Sequence, residues 1–541
     1  MDFSSRPCMC VVAQSLGSES KRRSPIQRIK SGEHLTHLVL VAAALAQAYA
    51  LSGWESAWAG VLQCLSLSVL FRHCWNAKST KQAAFRAWLF ATVWLFASFE
   101  WISTSLSRYG DMPLVISWLA VFVLAAALSV YHAAAMAVAH ASCRKWHHIT
   151  QAIAVGSAWT LAELARSAWF TGFPWASPGY AHMDSGLAVW SPMVGVMGLT
   201  WISSVLAALM AWLQRSATTG LLQSAAAHVI LIVLLLWPVQ EPSLGTPSMA
   251  QTVTLLQANV DPLDKFKNEG RDEFNWYLQQ IRSSSSDLTL APETAIATIG
   301  GLEDFKAATA PLDLDPQKAH LIGAMEGING GYANAAWAKM QGQWVRYHKT
   351  HLVPFGEYTP SLFEWFVKWA NIPYSDFRSG ANTINPFVHH QHAYAMSICY
   401  EDVFGDEMAR LFVQGPRVPT ALVNISNLAW FGEGRALDQH LVIGRMRALE
   451  LRRPMLMSTN TGWSAVIDDS GKVIARMPKS QRGTMSVSYQ GVQSEPSLYA
   501  QWAGRWGHLP LWWLCALGLA LPLVGARMHS INRSGKAGRP R

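Results

Sequence analysis

Three side chains of different chemical type stand where short apolar runs stop. Glu293 follows Leu288–Ala291, Lys349 follows Trp344–Tyr347, and Cys399 follows Ala393–Ile398. A thiol becomes a strong nucleophile only as thiolate, which requires a base or a positive field beside it. Glu293, in Leu290-Ala-Pro-Glu-Thr-Ala295, sits among apolar neighbours, where partial burial raises a carboxylate towards general-base strength. Lys349, in the stretch Arg346–Tyr358, supplies a positive field. Singly, each has a plainer reading: a solvated or capping Glu, a surface Lys, a buried structural Cys. Base, cation and nucleophile together at three strand ends point to covalent catalysis.

The elements that must carry them lie in residues 250–490. Short β-rich runs alternate there with polar or helical stretches: Thr252–Gln257, Leu288–Ala291, Ala319–Ala324, Trp344–Tyr347, Ala393–Ile398, Ala421–Ile425, Pro454–Ser458 and Ser464–Ile467. A helix is expected at Ala436–Leu451. This pattern predicts a single α/β domain with a largely buried sheet.

The rest of the chain is of another kind. The 541 residues are 51% hydrophobic and 14% charged, against roughly 25% charged in ordinary soluble domains. The 26 Trp suit a membrane–water interface. With about 20 apolar residues needed per span, seven spans are expected before residue 250: 35–52, 55–72, 83–104, 113–139, 149–166, 189–213 and 221–238. An eighth is expected at 508–526. Basic residues mark alternate loops: Arg72, Lys78, Lys81 and Arg86; Arg144 and Lys145; Arg215; and Arg527 to Arg541 at the end. By the positive-inside rule the tail 1–34 and residues 528–541 are cytoplasmic and the domain 250–490 faces outward. The divisions are therefore 1–34, the seven-span region 35–240, the domain 250–490, the last span 508–527 and the tail 528–541. The link Phe170-Thr-Gly-Phe-Pro-Trp175 reads as an interfacial aromatic belt or as a floor or lid beside a lipid-facing site. Glu163 and Arg166 read as a structural or interfacial pair.

Several functions are disfavoured. The net charge of +9 is dispersed in clusters and termini, so it reads as topology and not as a nucleic-acid surface. No phosphate loop, dinucleotide fingerprint or metal-ligand spacing is present, and neither metal nor cofactor is expected. Gly327–Gly331 reads as turns, and His389, His390 and His392 as solvated residues before a strand. Of seven cysteines, Cys8 and Cys10 lie in the tail and Cys64, Cys74, Cys143 and Cys515 in or beside spans. Cys399 alone lies in the outward domain, where it cannot form an intradomain disulfide and is exposed to oxidation. Chemistry is the better explanation for keeping it.

Glu, Lys and Cys in this order in an α/β domain resemble the nitrilase (carbon–nitrogen hydrolase) superfamily. The His-Leu-Val-Pro-Phe-Gly-Glu run within Tyr347–Pro360, with the eight spans, resembles the apolipoprotein N-acyltransferase family within it. Phe170–Tyr180, Gln257–Val260, Pro292–Ala295, Cys399–Glu401, Asn424–Asn427 with Trp430–Gly432, Gln439-His440, Arg445–Glu450 and Thr459–Gly462 carry the same likeness. Leu428, Ala436-Leu437 and Lys265-Phe266 depart from the family pattern of Asp, Gly-Pro and Lys-Trp, and residues 40–55 lack its Pro- and Phe-rich stretch. None of these touches the triad.

The resemblance implies a polytopic α-helical membrane protein of about eight spans with an inserted extracytoplasmic nitrilase-like domain, an αββα sandwich. It implies residence in a bacterial inner membrane and a triad of Glu293, Lys349 and Cys399; a monomer is the default expectation. Glu357 would orient Lys349 or the amine, and Tyr400 and Glu401 would shape the acyl or head-group pocket. The implied reaction moves a fatty acyl group from a membrane phospholipid, through a Cys399 thioester, to the N-terminal amine of a diacylglyceryl apolipoprotein. A membrane-tethered amidase or nitrilase, a non-catalytic lipoprotein-binding paralogue and, more weakly, a transporter are the competing readings.

Overall fold

The computed structural model describes residues 25–143, 148–213, 221–237, 246–267, 271–299, 301–310, 315, 317–328, 330–359, 377–381 and 385–521. The expectations for Cys8, Cys10, Arg144, Lys145, Arg215 and the tail 528–541 lie outside these residues.

The first half is helical: α1 (Pro25–Ala50), α2 (Ala57–Trp75), α3 (Thr80–Ser98), α4 (Leu114–Cys143), α5 (His148–Ala168), α6 (Ser191–Leu213) and α7 (Leu221–Leu236). Helix α1 starts inside the stretch expected to be a tail. Another apolar helix covers Leu509–Leu521. Helices thus occupy all eight expected segments, but few would cross a membrane unaided. Among the described residues, Leu114–Ser142 and Ala188–Leu213 alone are long and apolar enough, and Thr80–Ser98 with Ile102–Tyr109 qualifies only as a pair bent by 59°. The expected unbroken third span is therefore two pieces. The physical reason lies in what the other helices carry: Gln63 in α2 and Glu163 and Arg166 in α5 are buried polar groups, which lower hydropathy while packing inside the bundle. Trp94 and Trp159 are wholly buried beside them.

The second half is a two-sheet sandwich. Its strands are β1 (Pro247–Gln257), β2 (Leu288–Leu290), β3 (Ile296–Ile299), β4 (Ala319–Ile328), β5 (Gly331–Met340), β6 (Gln343–His348), β7 (Phe387–His389), β8 (His392–Ile398), β9 (Ala421–Ser426), β10 (Met455–Thr459), β11 (Ala465–Ile467), β12 (Val473–Arg476) and β13 (Gly483–Val492). One sheet runs β13-β1-β2-β4-β5-β6, with β3 also on β4; the other runs β12-β11-β10-β9-β8-β7. Parallel pairs β1–β2–β4 and β8–β9–β10 form the two centres. Every residue of β8 and β9 is buried, as expected of central parallel strands covered on both faces.

Val253 and Leu255 of β1 meet Met396, Ile398, Val423 and Leu456 between the sheets. The alternate residue Leu256 points outward, against Tyr277 and Ile281 of α8 (Arg271–Ser283). Helix α9 (Arg435–Leu451) covers the other sheet, with Leu441 and Ala448 against Met455 and Met457. Period-2 strands and amphipathic helices thus stack helix–sheet–sheet–helix. Gly327–Gly331 lies at the β4–β5 hairpin, with Gly327 paired to Tyr332 and Ile328 to Gly331, so the expected turn is there. His389 and His392 are a correction. They pair across the β7–β8 hairpin and are each 1% exposed, because the hairpin folds them inward while His390 stays at its tip. Among the described residues no His, Cys, Asp and Glu cluster is arranged to hold a metal.

The sandwich docks on the helices through α9. Gln439 Oε1 accepts from the indoles of Trp101 (3.1 Å) and Trp175 (2.8 Å), and its Nε2 donates to Leu51 O at 3.0 Å. Arg445 pairs with Asp184 at 2.5 Å and Arg476 with Glu55 at 2.5 Å. These contacts join the helical half to the sandwich.

Candidate active site

The sandwich presents its functional groups at one end. Glu293 lies three residues beyond β2, in a turn where Thr294 has φ +52°. That turn presses on β4: a Cβ at Gly323 would stand 2.3 Å from Pro292 O, so glycine alone leaves room. Lys349 follows β6 directly and donates its backbone N–H to Asn334 O at 2.8 Å. Glu357 sits on the small loop Val353–Tyr358, closed by its N–H to Val353 O at 2.9 Å. Cys399 follows β8 with φ +53°, a sparsely populated backbone state that tends to be retained where function requires it. Its carbonyl is held by Asn424 Nδ2 at 3.1 Å.

These elements bring three of the expected residues into one polar knot. Lys349 Nζ is 2.9 Å from Glu357 Oε1 and 3.7 Å from Glu293 Oε1. Asn334 Nδ2 donates to both carboxylates, at 2.6 Å to Glu293 and 2.9 Å to Glu357. The backbone N–H of Asn427 donates to the other Glu293 oxygen at 2.7 Å, and that of Val353 to the other Glu357 oxygen at 2.8 Å. Lys349 is 1% exposed and Glu293 7%. The half-buried Cys399 thiol feels the charges of both.

The electrostatics follow from burial. Burial raises Glu293 above its ordinary value, Lys349 opposes this, and Glu357 adds to it. Lys349 is raised because its two carboxylates outweigh the burial that disfavours its charge. Burial pushes the Cys399 thiol well up, Glu293 adds repulsion, and Lys349 works the other way. At rest the site therefore holds a neutral thiol beside an ammonium and a buried carboxylate of raised proton affinity. It can form a thiolate as the proton moves to Glu293, with Lys349 on hand for negative charge on a bound carbonyl.

Tyr400 and Glu401 make contacts of different kinds. Glu401 is 4% exposed. One of its oxygens accepts from Thr350 N (2.7 Å), Thr350 Oγ1 (2.9 Å), His351 N (3.1 Å) and the Tyr347 hydroxyl (2.8 Å); the other accepts from Ile398 N at 2.7 Å. These five donors tie the lysine loop to the cysteine turn through Glu401, which serves as a buckle between them. Tyr400 donates to Gly172 O at 3.0 Å, joining the nucleophile turn to the link after α5.

Asn334 was missed by reading the sequence. It lies on β5, whose Ala-rich run Gly-Tyr-Ala-Asn-Ala-Ala-Trp-Ala lacks the β-branched residues that announce strands. Asn329-Gly330, a hairpin-turn pair between two apolar runs, was the available signal. Asn427 acts through its backbone, which no side-chain motif reveals.

Residues 42–209 match the model of the apolipoprotein N-acyltransferase N-terminal domain, and residues 252–495 that of carbon-nitrogen hydrolase. An apolipoprotein N-acyltransferase of Verminephrobacter eiseniae is 36% identical over 86% of this chain and 92% of its own length. One of Ralstonia nicotianae is 34% identical over 97% and 98%. A solved CN-hydrolase superfamily protein of Xanthomonas campestris, 17% identical, covers 48% of this chain and 96% of its own with a TM-score of 0.34. With both halves matched in sequence and full-length relatives above 30% identity, the chain belongs to the apolipoprotein N-acyltransferase family.

Proposed function

We propose that this chain transfers a fatty acyl group from a membrane phospholipid to the α-amine of the N-terminal diacylglyceryl-cysteine of an apolipoprotein. The observation that carries this reading is the buried Glu293–Lys349–Glu357 knot facing a cysteine in a left-handed turn. Glu293 takes the Cys399 proton as sulfur attacks the ester carbonyl. Lys349 stabilises the oxyanion, a contribution typically worth about 3 kcal/mol. Glu293 returns the proton to the departing lysophospholipid alkoxide, leaving an acyl thioester on Cys399. The acceptor amine then attacks the thioester, Glu293 removes its extra proton, and the amide forms as the thiol leaves.

A thioester is activated towards amines, so the reaction needs no external energy source. Glu357, hydrogen-bonded to Lys349 at 2.9 Å, keeps the ammonium charged and aimed. The helical half fits two substrates that both carry acyl chains. In this reading residues 35–240 and 508–527 provide eight spans of an inner membrane, with 250–490 on the outer face and the tails 1–34 and 528–541 inside. Buried polar pairs such as Glu163–Arg166 let the less apolar helices reside there. The chain acts as a monomer.

The test is mass spectrometry of the purified protein in phospholipid micelles without acceptor. The expected result is a gain of one fatty acyl group on Cys399, removed by hydroxylamine and by a diacylglyceryl-cysteine peptide, and absent in Cys399→Ala. Glu293→Gln should slow its formation by about 10²- to 10⁴-fold, the usual contribution of a general base. Acyl release to water alone would identify a hydrolase, and no adduct on folded protein would identify a lipid- or lipoprotein-binding paralogue.

A further inference from the structure

Charged side chains within an apolar helical region are costly and are retained where they serve a purpose. Helix α5 carries Glu163 and Arg166 three residues apart, and both side chains are fully buried. Arg166 donates to both Glu163 oxygens, at 3.0 Å from Nε and 2.6 Å from Nη2. His132 of α4 donates from Nε2 to Glu163 at 2.9 Å, and the ring of Trp159 lies 4.4 Å from its imidazole. The carboxylate is thus held from two helices, and it fixes the guanidinium in turn.

Arg166 still has donors to spare, and they leave the helix. Its Nη1 donates to the carbonyls of Phe173 and Trp175, the latter at 2.9 Å, and Nη2 reaches Ser177 Oγ at 3.0 Å. These carbonyls belong to the strap Trp169–Trp175, which contains three successive left-handed residues: Phe170, Thr171 and Gly172 at φ +53°, +73° and +79°. Such a run persists only where its surroundings over-determine it. A Cβ on Gly172 would lie 2.1 Å from Ser167 O.

The other side of the strap is gripped by the sandwich. Tyr400, next to Cys399, donates to Gly172 O at 3.0 Å, and His351, two residues after Lys349, donates from Nε2 to Thr171 O at 3.0 Å. Phe173 stacks on Tyr400 with ring centroids 6.2 Å apart. The strap therefore touches Tyr400 beside the nucleophile and His351 two residues from the cation, and Arg166 anchors its far side.

We propose that Arg166, braced by Glu163 and His132, is a positioning residue for acyl transfer: it fixes the strap and, through the Gly172–Tyr400 hydrogen bond, the turn that aims Cys399. A purely structural ion pair would contribute to stability and leave the rate of the folded enzyme unchanged. A positioning pair acts on the rate, because displacements of about 1 Å at reacting atoms cost up to about 10²-fold.

The experiment is a double-mutant cycle on single-turnover thioester formation in phospholipid micelles, with the intact protein shown folded by thermal unfolding. It rests on the Cys399 thioester reading, and the wild type separates the two: no acylation of wild type overturns that reading, whereas acylation of wild type leaves this inference to stand or fall on the variants. Arg166→Met and Tyr400→Phe are each expected to slow the step by about 10-fold or more. Their combination should be no slower than the slower single variant, since both cut the same connection. Arg166→Lys should recover part of the rate by holding one carbonyl. Wild-type rate in folded Arg166→Met, or effects that multiply in the double variant, would overturn the proposal. If Arg166→Met does not fold, Gly172→Ala takes its place in the same cycle. It displaces the strap directly, and an unchanged rate or multiplied effects would again count against the proposal.

Discussion

Asn334 Nδ2 reaches Glu293 and Glu357 at once and so contributes to the charge balance of the proposed base. Glu293 is pulled up by burial and held down by Lys349, Asn334 and the Asn427 amide. A base works only when ionised, so thioester formation is expected to fail as pH falls through the raised Glu293 value, above the ordinary carboxylate range. Asn334→Ala removes a donor that favours the charged form and must raise Glu293 further. The acid limb of the rate profile should therefore move to higher pH. An unshifted limb would show that Glu293 is not the group being titrated. Glu401 teaches a related lesson at the same scale. An acid just after a nucleophile reads as a pocket-shaping group, and here its oxygens also take backbone and hydroxyl donors that tie two loops together.

Among the elements, the contact between the Glu293 turn and β4 is the most exacting. Gly323 lies where an added Cβ would stand 2.3 Å from Pro292 O and 2.7 Å from Glu293 Cα. Neither atom belongs to a flexible side chain, so Gly323→Ala must push the whole turn off the sheet. Overpacking of this kind costs about 1–3 kcal/mol, and moving Glu293 by a fraction of an ångström should lower the rate of thioester formation by about 10-fold or more. Thermal unfolding and single-turnover acylation measure the two effects. A Gly323→Ala protein with wild-type rate would show that the turn can be repositioned freely. The β4–β5 hairpin matters in the same way, since it delivers Asn334 to the carboxylates and the Asn334 carbonyl to Lys349.

For the molecule as a whole, the end of the sandwich away from the site carries buried histidines that oppose acid. His320 is 3% exposed, and its proton affinity is lowered to about 4 by burial, with Lys318 and Lys339 adding repulsion. His389 and His392 are lowered for the same first reason. The unfolded chain binds these protons from about pH 6.5, while folded His320 resists until about pH 4. The stability these groups supply is thus complete above pH 6.5 and is lost as pH falls towards 4. For His320 alone the loss by pH 5 is on the order of 2 kcal/mol. His320→Gln should flatten the fall in thermal stability between pH 7 and pH 5. An equally steep fall in that variant would remove His320 as a cause.

Apolar runs with period 2 or 3.6 are local facts, because burial of one face dictates them residue by residue. By itself the sequence therefore determined the two-part organisation, the sandwich strands around Leu255, Leu290, Ile398 and Ile425, the position of α9, and the placing of Glu293, Lys349 and Cys399 at strand ends. Tertiary structure decided what depends on partners remote in the chain. Glu401 became a clamp because Thr350 and His351 fold onto it, 51 and 50 residues away. His389 and His392 went inward as partners across the β7–β8 hairpin, with His389 bonded to Gln317 O at 3.1 Å. Few helices were apolar enough to span alone because polar groups such as Glu163 and Arg166 are satisfied inside the bundle. The strap met Tyr400 across 228 residues, a contact with no local pattern, since it depends on how the helical half and the sandwich are packed against each other.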